Sequence, residues 1–509
     1  MMDARTLDRG LMALLGLVGL VTAALVLRPA GIVFHTPLTE DAFYALGVAR
    51  NIAAGIGITI DGVTPTNGFQ PLFTVLQAAC YWLASGSEVR AARLVTALAW
   101  IVYAATAVLV GLIARDAGAG LEEERRRRGL IAALLYGGGH LSFMHHFNGL
   151  ETGLVVLLYA AIWRLHQRRV DQRRGGVVIL GLAFGALVLA RIDAAVVLAV
   201  YCVALVWRDR RLGWRAVLRP VAIGLVAVAL SSPWWLYNLL QFGSAMPTSG
   251  TAQQDWAVDE RRVRWGIWAL GTAAMPSLWL GRLDELFGDG IALSILRAVV
   301  ASWLVVAIWQ RWRADSAGLG QETLGFARVM ALGFAALTLY YVASFIAFWF
   351  YYRYLFPVAI LAAVAVAWAL TPLAAGRPRT ALALAALLTL PTLASALLAQ
   401  QGRTLHVETV YWQQLALIDA HVPPDAKVAA GQAGTLGYFR RATVNVDGKV
   451  NAAAIAHQDA MWHWLAAEDI RWFCDWPFYV EKYLGPDPTV HGWQRVGTLG
   501  IWQLWHRPE

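Results

Sequence analysis

Lysine is nearly missing from this chain. Its 509 residues include Lys427, Lys449 and Lys482, and no lysine precedes Lys427. An anion met by that long lysine-free portion has to be held by arginine, polar side chains, backbone N–H groups or a metal ion. Charge of both signs is scarce as well: 15% of the residues are charged, against about 25% in soluble globular proteins. With 58% of the chain hydrophobic, long segments have no water to face, which excludes an ordinary soluble protein. Cys80 and Cys202 sit in apolar runs and Cys474 lies alone in a polar tail, so no disulfide framework is implied. No small-residue cleavage site of the A-x-A kind follows the first apolar run, Leu11 to Leu27, and that run is read as a retained helix. There is no internal repeat.

Arginine, by contrast, is abundant and clustered. Arg125 to Arg128 follow one apolar run; Arg164, Arg168, Arg169, Arg173 and Arg174 follow another; Arg208, Arg210, Arg211, Arg215 and Arg219 form a third group. Arg311 with Arg313, and Arg377 with Arg379, mark two more. Basic residues gathered in short loops between apolar runs follow the positive-inside pattern. The net charge of +9 is therefore assigned to membrane orientation, and nucleic-acid binding is excluded. With these clusters placed in the cytoplasm, eleven transmembrane helices are predicted, near 11–28, 91–114, 129–147, 151–166, 175–190, 193–207, 217–238, 291–310, 325–349, 355–371 and 380–400. The count closes only if the shorter apolar run 71–85 does not cross, so it is predicted as a juxtamembrane or re-entrant helix.

The expected architecture is an all-α polytopic membrane domain over 1–400, followed by a small α/β extracytoplasmic domain over 401–509. In the second, strands are predicted near 427–431, 443–446 and 495–504, and helices near 406–420 and 451–466. Gly431, Gly434 and Gly437 lack phosphate-loop spacing and are read as tight turns.

Under this topology the polar motifs of the membrane domain share the non-cytoplasmic side. The first loop holds Glu40-Asp41-Ala42-Phe43-Tyr44 after Thr39. Two readings stand for the adjacent acids: first-turn residues that suit a helix dipole behind a Thr cap, or a general base or metal ligand serving an acceptor hydroxyl. The residues alone leave both open. In Pro65-Thr66-Asn67-Gly68-Phe69-Gln70-Pro71, the amides of Asn67 and Gln70 either satisfy loop backbone or bind a substrate. The second loop, His145-His146-Phe147-Asn148-Gly149-Leu150-Glu151, places an acid at the membrane edge, which is costly unless it is paired or functional. Asp41 and Glu151 are thus the candidate ligands for a divalent metal cation, while His146 and Asn148 are candidates for substrate contact. Arg191-Ile192-Asp193, between two apolar runs, reads as an ion pair. Tyr351-Tyr352-Arg353-Tyr354 sets a guanidinium among aromatic residues, where it suits bidentate contact with phosphate. Pro233-Trp234-Trp235-Leu236-Tyr237-Asn238, leading to Gly243-Ser244-Ala245-Met246-Pro247-Thr248-Ser249, is a further turn-rich segment.

In this order the motifs resemble those of the GT-C glycosyltransferases, polytopic enzymes that take sugar from a polyprenyl-phosphate carrier. EDAFY followed by ARNIAAGIG is similar to their first-loop acidic motif, most of all in arabinofuranosyltransferase-like members. TNGFQPLF, NGLETGL, LARIDA, YNLLQFGSAMPTS and YYRYLFP follow in family order. Protein O-mannosyltransferases and lipid A aminoarabinose transferase are similar at greater distance. Glu40 stands where the nearest pattern has Asp. Phe69-Gln70-Pro71 replaces the Lys-Pro-Pro of the aminoarabinose group, so a lysine contact to the carrier phosphate does not carry over.

The resemblance implies a multi-pass protein of the bacterial inner membrane that moves sugar, with inversion, from a polyprenyl-phosphate-linked donor to a hydroxyl of a glycan, lipid or protein acceptor. Asp41 with Glu40 would deprotonate the nucleophile, supported by Glu151. Arg353, with Tyr352, Tyr354 and Arg191, would meet the carrier phosphate among membrane lipids. Tyr438, Asp447 and Lys449 of the tail would cover the acceptor. A transporter or flippase for a lipid-linked or anionic substrate is the competing expectation.

Overall fold

A computed structural model of the chain describes residues 3–276, 291–315, 319–403 and 410–508. Each segment predicted to cross a membrane is helical. Helix α1 (Ala4–Ala23) starts where Asp3 accepts the Thr6 N–H. Two shorter helices follow, α2 (Glu40–Ala53) and α3 (Pro71–Leu83), before the long α4 (Glu88–Arg115). At 13 residues, α3 is about 20 Å long, too short for a hydrocarbon core of ~30 Å. The predicted helix 129–147 is broken into α5 (Glu122–Gly137) and α6 (His140–Phe147), because consecutive Gly138 and Gly139 weaken the helix and Gly139 adopts extended backbone.

Next come α7 (Thr152–Gln167), α8 (Gly176–Ala190), α9 (Ala194–Arg208) and α10 (Leu218–Phe242). Gly181 and Gly185 let α8 close onto Val226, Ala227 and Leu230 of α10. A one-turn helix α11 (Thr248–Thr251) and α12 (Glu260–Ala274) fill part of the expected long loop 239–290, whose last residues, from 277, lie outside those described. Then follow α13 (Ile291–Asp315), α14 (Gln321–Ser344), one turn α15 (Tyr351–Tyr354), α16 (Val358–Gly376) and α17 (Pro378–Ala399). Among the described residues six helical segments are long and apolar enough to cross a bilayer unaided. Of the other predicted spans, α7, α8 and α9 have 15 or 16 residues each. The chain is a polytopic membrane protein.

The tail folds as α18 (Tyr411–His421), β1 (Val428–Ala430), α19 (Gly434–Phe439), β2 (Thr443–Asn445), α20 (Ala452–Ile455), α21 (Met461–Ala467), β3 (Trp472–Asp475), α22 (Pro477–Leu484), β4 (Gln494–Leu499) and β5 (Trp502–His506). The predicted start of its first helix, 406–409, lies outside the described residues. The sheet order is β2-β1-β3-β5-β4, with β1 parallel to both β2 and β3 and β5 antiparallel to β3 and β4. Four expectations change. Gly434 and Gly437, read as tight turns, lie within α19. The helix predicted over 451–466 is divided into α20 and α21. The single strand 495–504 is a hairpin that turns at Gly500, with φ +60°. The strand Trp472–Asp475 was not anticipated, because four residues ending in Asp carry no alternation to detect.

The tail shares an apolar core with the first loop. Tyr44, Val48, Ile60 and Phe69 pack with Leu417, Val428, Ala430, Leu436 and Val450 in one buried cluster. Two glycines permit the approach. A Cβ on Gly68 would collide with the Lys449 carbonyl, and one on Gly434 with the Glu40 carbonyl. We predict that Gly434→Ala lowers thermal stability by about 1–3 kcal/mol, the usual cost of overpacking, and exposes the tail to limited proteolysis. Gly16→Ala, inside α1 and with nothing within 4 Å of its Cβ, is the control and causes neither loss.

Candidate active site

Helix α2 starts one residue after Thr39, whose hydroxyl is spent on the Asn148 carbonyl (3.2 Å) and makes no cap bond. Glu40 and Asp41 therefore occupy the first turn without the predicted threonine cap. One helical step separates their side chains by roughly 100°, and their surroundings differ accordingly. Glu40 is buried against the tail, where Oε1 accepts the Gly434 N–H. Its other oxygen, Oε2, is buried with no partner among the described residues, an arrangement that suits a neutral acid. Burial first, then the negative charge of Asp41, pushes its pKa up to about 8, against the opposing pull of Lys449 and Gly434.

Asp41 turns the other way and lines a cavity of about 340 Å³. Its Oδ2 meets Arg353 Nη1 at 3.4 Å and its Oδ1 meets Lys449 Nζ at 3.7 Å. Burial alone would raise the Asp41 pKa, but Lys449 and then Arg353 outweigh it, and the carboxyl is held below its ordinary range. Lys449 also pairs with Asp447 at 3.1 Å. Burial disfavours the ammonium, yet Asp447, Asp41 and Glu40 hold its pKa well above the usual lysine value.

The rest of the wall comes from segments spread along the chain. Gln70 and Phe73 enter from the start of α3, Glu151 from the N-cap of α7, Arg191 and Asp193 from the α8–α9 junction, Gln253 and Gln254 after α11, Tyr340 and Tyr341 from α14, and Arg353 with Tyr354 from α15. Arg191 pairs with Asp193, and the Tyr341 hydroxyl donates to the same carboxylate. The Tyr354 ring lies between the two guanidinium groups, with Arg191 at 4.8 Å and Arg353 at 5.2 Å from its centroid. Arg353 is loosely engaged: its bonds to Asp41 and Tyr354 are both 3.4 Å, and its buried Nε has no acceptor among the described residues. A donor in that state has capacity for an anion.

The cavity thus brings together Asp41, Glu151, Gln70, Arg191, Arg353, Tyr354 and Lys449 from the sequence candidates. It does not include the others. Glu40 lies behind Asp41. Asn67 donates to Asn238 Oδ1 and accepts the Thr248 N–H, which fixes the loop. Asn148 accepts the Leu150 N–H, and His146 is bonded to the Ser142 carbonyl. Tyr438 is buried against Tyr81 and Arg50, and Tyr352 packs on His145. Asp447 reaches the site through Lys449. Sequence reasoning missed Tyr340, Tyr341, Gln253 and Gln254. The adjacent amides Gln253-Gln254 between two predicted spans were a usable signal; the tyrosines, inside an apolar helix, offered none.

The donor set does not fit a divalent metal. Among the described residues no group of three or more His, Cys, Asp or Glu side chains is placed to hold one. Asp41, one of the two expected ligands, has each oxygen facing a cation. Asp475, at the end of β3, accepts the Gly431 and Gln432 N–H groups and so holds the loop after β1 to β3.

Comparison with known proteins agrees with this architecture. Residues 398–507 match a domain of unknown function, DUF8728. No curated protein matches the sequence. The structure is similar to the oligosaccharyltransferase AglB of Archaeoglobus fulgidus in complex with an inhibitory peptide and a dolichol-phosphate (TM-score 0.57, 12% identity, 95% of this chain and 72% of that one). It is similar to ArnT of Cupriavidus metallidurans bound to undecaprenyl phosphate (0.52, 14%, 98% of each chain). The Archaeoglobus enzyme tethered to an acceptor peptide with the NVT sequon gives 0.54 at 11% identity, over 98% of this chain and 74% of that one. The fold is GT-C.

The opposed environments of Glu40 and Asp41 have a pH consequence. An unfolded chain releases the Glu40 proton near 4.5 and the folded one near 8. The stability this proton confers is complete below pH 4.5 and is lost as pH rises through 8. Thermal unfolding of wild type against Glu40→Gln, followed across that window, is expected to show the wild type losing stability relative to the variant.

Proposed function

We propose that the chain is a membrane glycosyltransferase that moves a sugar from a polyprenyl-phosphate donor to an acceptor hydroxyl, with inversion. The observation that carries this reading is one cavity with a carboxylate base, Asp41, facing two arginines, one of them with an unsatisfied buried donor. The acceptor oxygen bonds to the anomeric carbon as the bond from that carbon to the phosphate oxygen breaks. The acceptor proton passes to Asp41 Oδ2. Polyprenyl phosphate leaves with one more negative charge, which Arg353 and Arg191 neutralise. When Arg353 turns to the donor phosphate, it withdraws one of the two cations that depress Asp41, so donor binding itself strengthens the base. Glu151, in the same wall, orients the acceptor. The lipid-linked ligands of the structurally similar proteins support this donor class, and the first-loop resemblance suggests arabinofuranose among the donors to be tried.

We place the cavity and residues 401–509 on the extracytoplasmic face of a bacterial inner membrane, with 1–400 as the membrane domain, because the five arginine clusters from Arg125–Arg128 to Arg377 with Arg379 then lie in the cytoplasm. The acceptor is a cell-envelope glycan, lipid or protein.

Purified protein given synthetic polyprenyl-phosphate sugars and envelope acceptors tests the reading. Asp41→Asn is expected to lower kcat by about 100-fold or more. Arg353→Lys, which keeps charge and loses the fork, should cost about 10–100-fold in kcat/KM, whereas Glu40→Gln stays within about tenfold. Unchanged transfer in both acid variants removes the acid mechanism. Uptake into sealed vesicles with no product favours a transporter.

A further inference from the structure

The sequence led us to expect Lys449 over the acceptor, and its ammonium instead faces Asp41. Lys449 follows Asp447 and Gly448 in the turn after β2. Its backbone carbonyl sits against Gly68 and accepts the Thr248 hydroxyl at 2.9 Å, while its N–H donates to Asp447 Oδ1 at 2.9 Å. Backbone on both sides is therefore pinned, and the side chain has one way to go. It places its ammonium 3.7 Å from Asp41 Oδ1 and 3.1 Å from Asp447 Oδ2.

Three carboxyl groups, Glu40, Asp41 and Asp447, act electrostatically on this one ammonium. Two of them, Asp41 and Asp447, face it directly at 3.7 and 3.1 Å, and carboxylate oxygens that converge on one point are the ligands a hard divalent cation uses. Here a monovalent cation that belongs to the chain stands in that space. Its reach is fixed by four methylenes and two pinned backbone contacts, so it cannot follow a leaving phosphate as a free ion could. Arg353, at the opposite oxygen of Asp41, is held loosely and can move. The two cations therefore divide the work: one stays with the carboxylate, the other is available to the donor.

We propose that Lys449 is the positioning residue for Asp41, a built-in cation that occupies the place a divalent metal would take and makes transfer independent of such a metal. The inference rests on the transferase reading for its catalytic arm and on geometry alone for its binding arm. It also makes the tail a working part of the site, because the ammonium arrives only when residues 446–450 are docked on the first loop.

Full-length protein in lipid nanodiscs, stripped with EDTA, provides the test. In the binding arm, Mn²⁺ is titrated and followed by electron paramagnetic resonance. Wild type is expected to take up no Mn²⁺ at the cavity. Lys449→Met and Lys449→Gln, which vacate the space, are expected to gain one Mn²⁺ site that disappears when Asp41→Asn is added. Uptake by wild type that Asp41→Asn abolishes, or no uptake by either folded variant, overturns the proposal. In the catalytic arm, EDTA is expected to leave wild-type transfer unchanged. Lys449→Met should lose about 100-fold, the scale of removing one fixed charge from a site, and Mn²⁺ should restore part of the loss. Lys449→Arg should remain within about tenfold. Wild-type activity that EDTA abolishes and Mn²⁺ restores contradicts the proposal. If wild type transfers no sugar from any donor, the functional reading fails while the Mn²⁺ titration still decides the role of Lys449.

Discussion

One carboxylate between two cations organises this molecule. Asp41 is reached by Arg353 from the α14–α16 connection and by Lys449 from the tail, so three segments far apart in sequence meet at its two oxygens. A carboxylate taken from water is expensive unless it is paired, and this pairing requires the tail to be docked and α15 to be in place. The Glu40 bond to Gly434, the Tyr44 hydroxyl between Gly431 and Ala433, and the Tyr81–Tyr438 pair all sit around that junction. They fix α2 against the tail. The segment between α1 and α4 is thus the piece both halves of the protein hold.

The same constraint separates two adjacent acids. A helix points neighbouring side chains in different directions. Glu40 consequently enters an apolar seam and favours its proton, while Asp41 enters a charged cavity and favours its ionised form. Pairs of carboxyls pushed apart in this way are a general route to distinct acid and base roles. Arg191 and Arg353 form a second organised unit, linked through the Tyr354 ring and a 3.4 Å bond from Arg191 Nη1 to the Arg353 carbonyl. Both arginines are engaged in these pairings, and Arg353, whose buried Nε has no acceptor among the described residues, is the one with a donor to spare for an entering anion.

Much of this was legible in the sequence, for identifiable reasons. Apolar length and arginine placement are strong signals, and helices appear at each predicted span. The run 71–85, predicted not to cross, forms the 13-residue helix α3. Acids and arginines at membrane depth carry a cost that marks them, and Asp41, Glu151, Arg191 and Arg353 do line one cavity. Amides and aromatics carry no such cost. Asn67, Asn148, His146 and Tyr438 have the composition of ligand contacts but satisfy loop backbone or fill the core. Lys449 was visible as a residue, whereas its position was not: no local pattern says that a turn after β2 comes to rest on a helix four hundred residues earlier. Tyr341 was hidden for the opposite reason, since one hydroxyl in a long apolar helix does not disturb its periodicity.

The central claim is that the carrier phosphate is received between the two arginines, facing Asp41. A structure determined with a polyprenyl phosphate added to the full-length protein tests it most directly. The account predicts phosphate density within hydrogen-bond reach of both Arg353 and Arg191, with the Arg353 guanidinium drawn off Asp41 and Lys449 still on it. Phosphate held elsewhere, for instance by Arg261 and Arg264 on α12, with the Arg353–Asp41 contact intact, would contradict it.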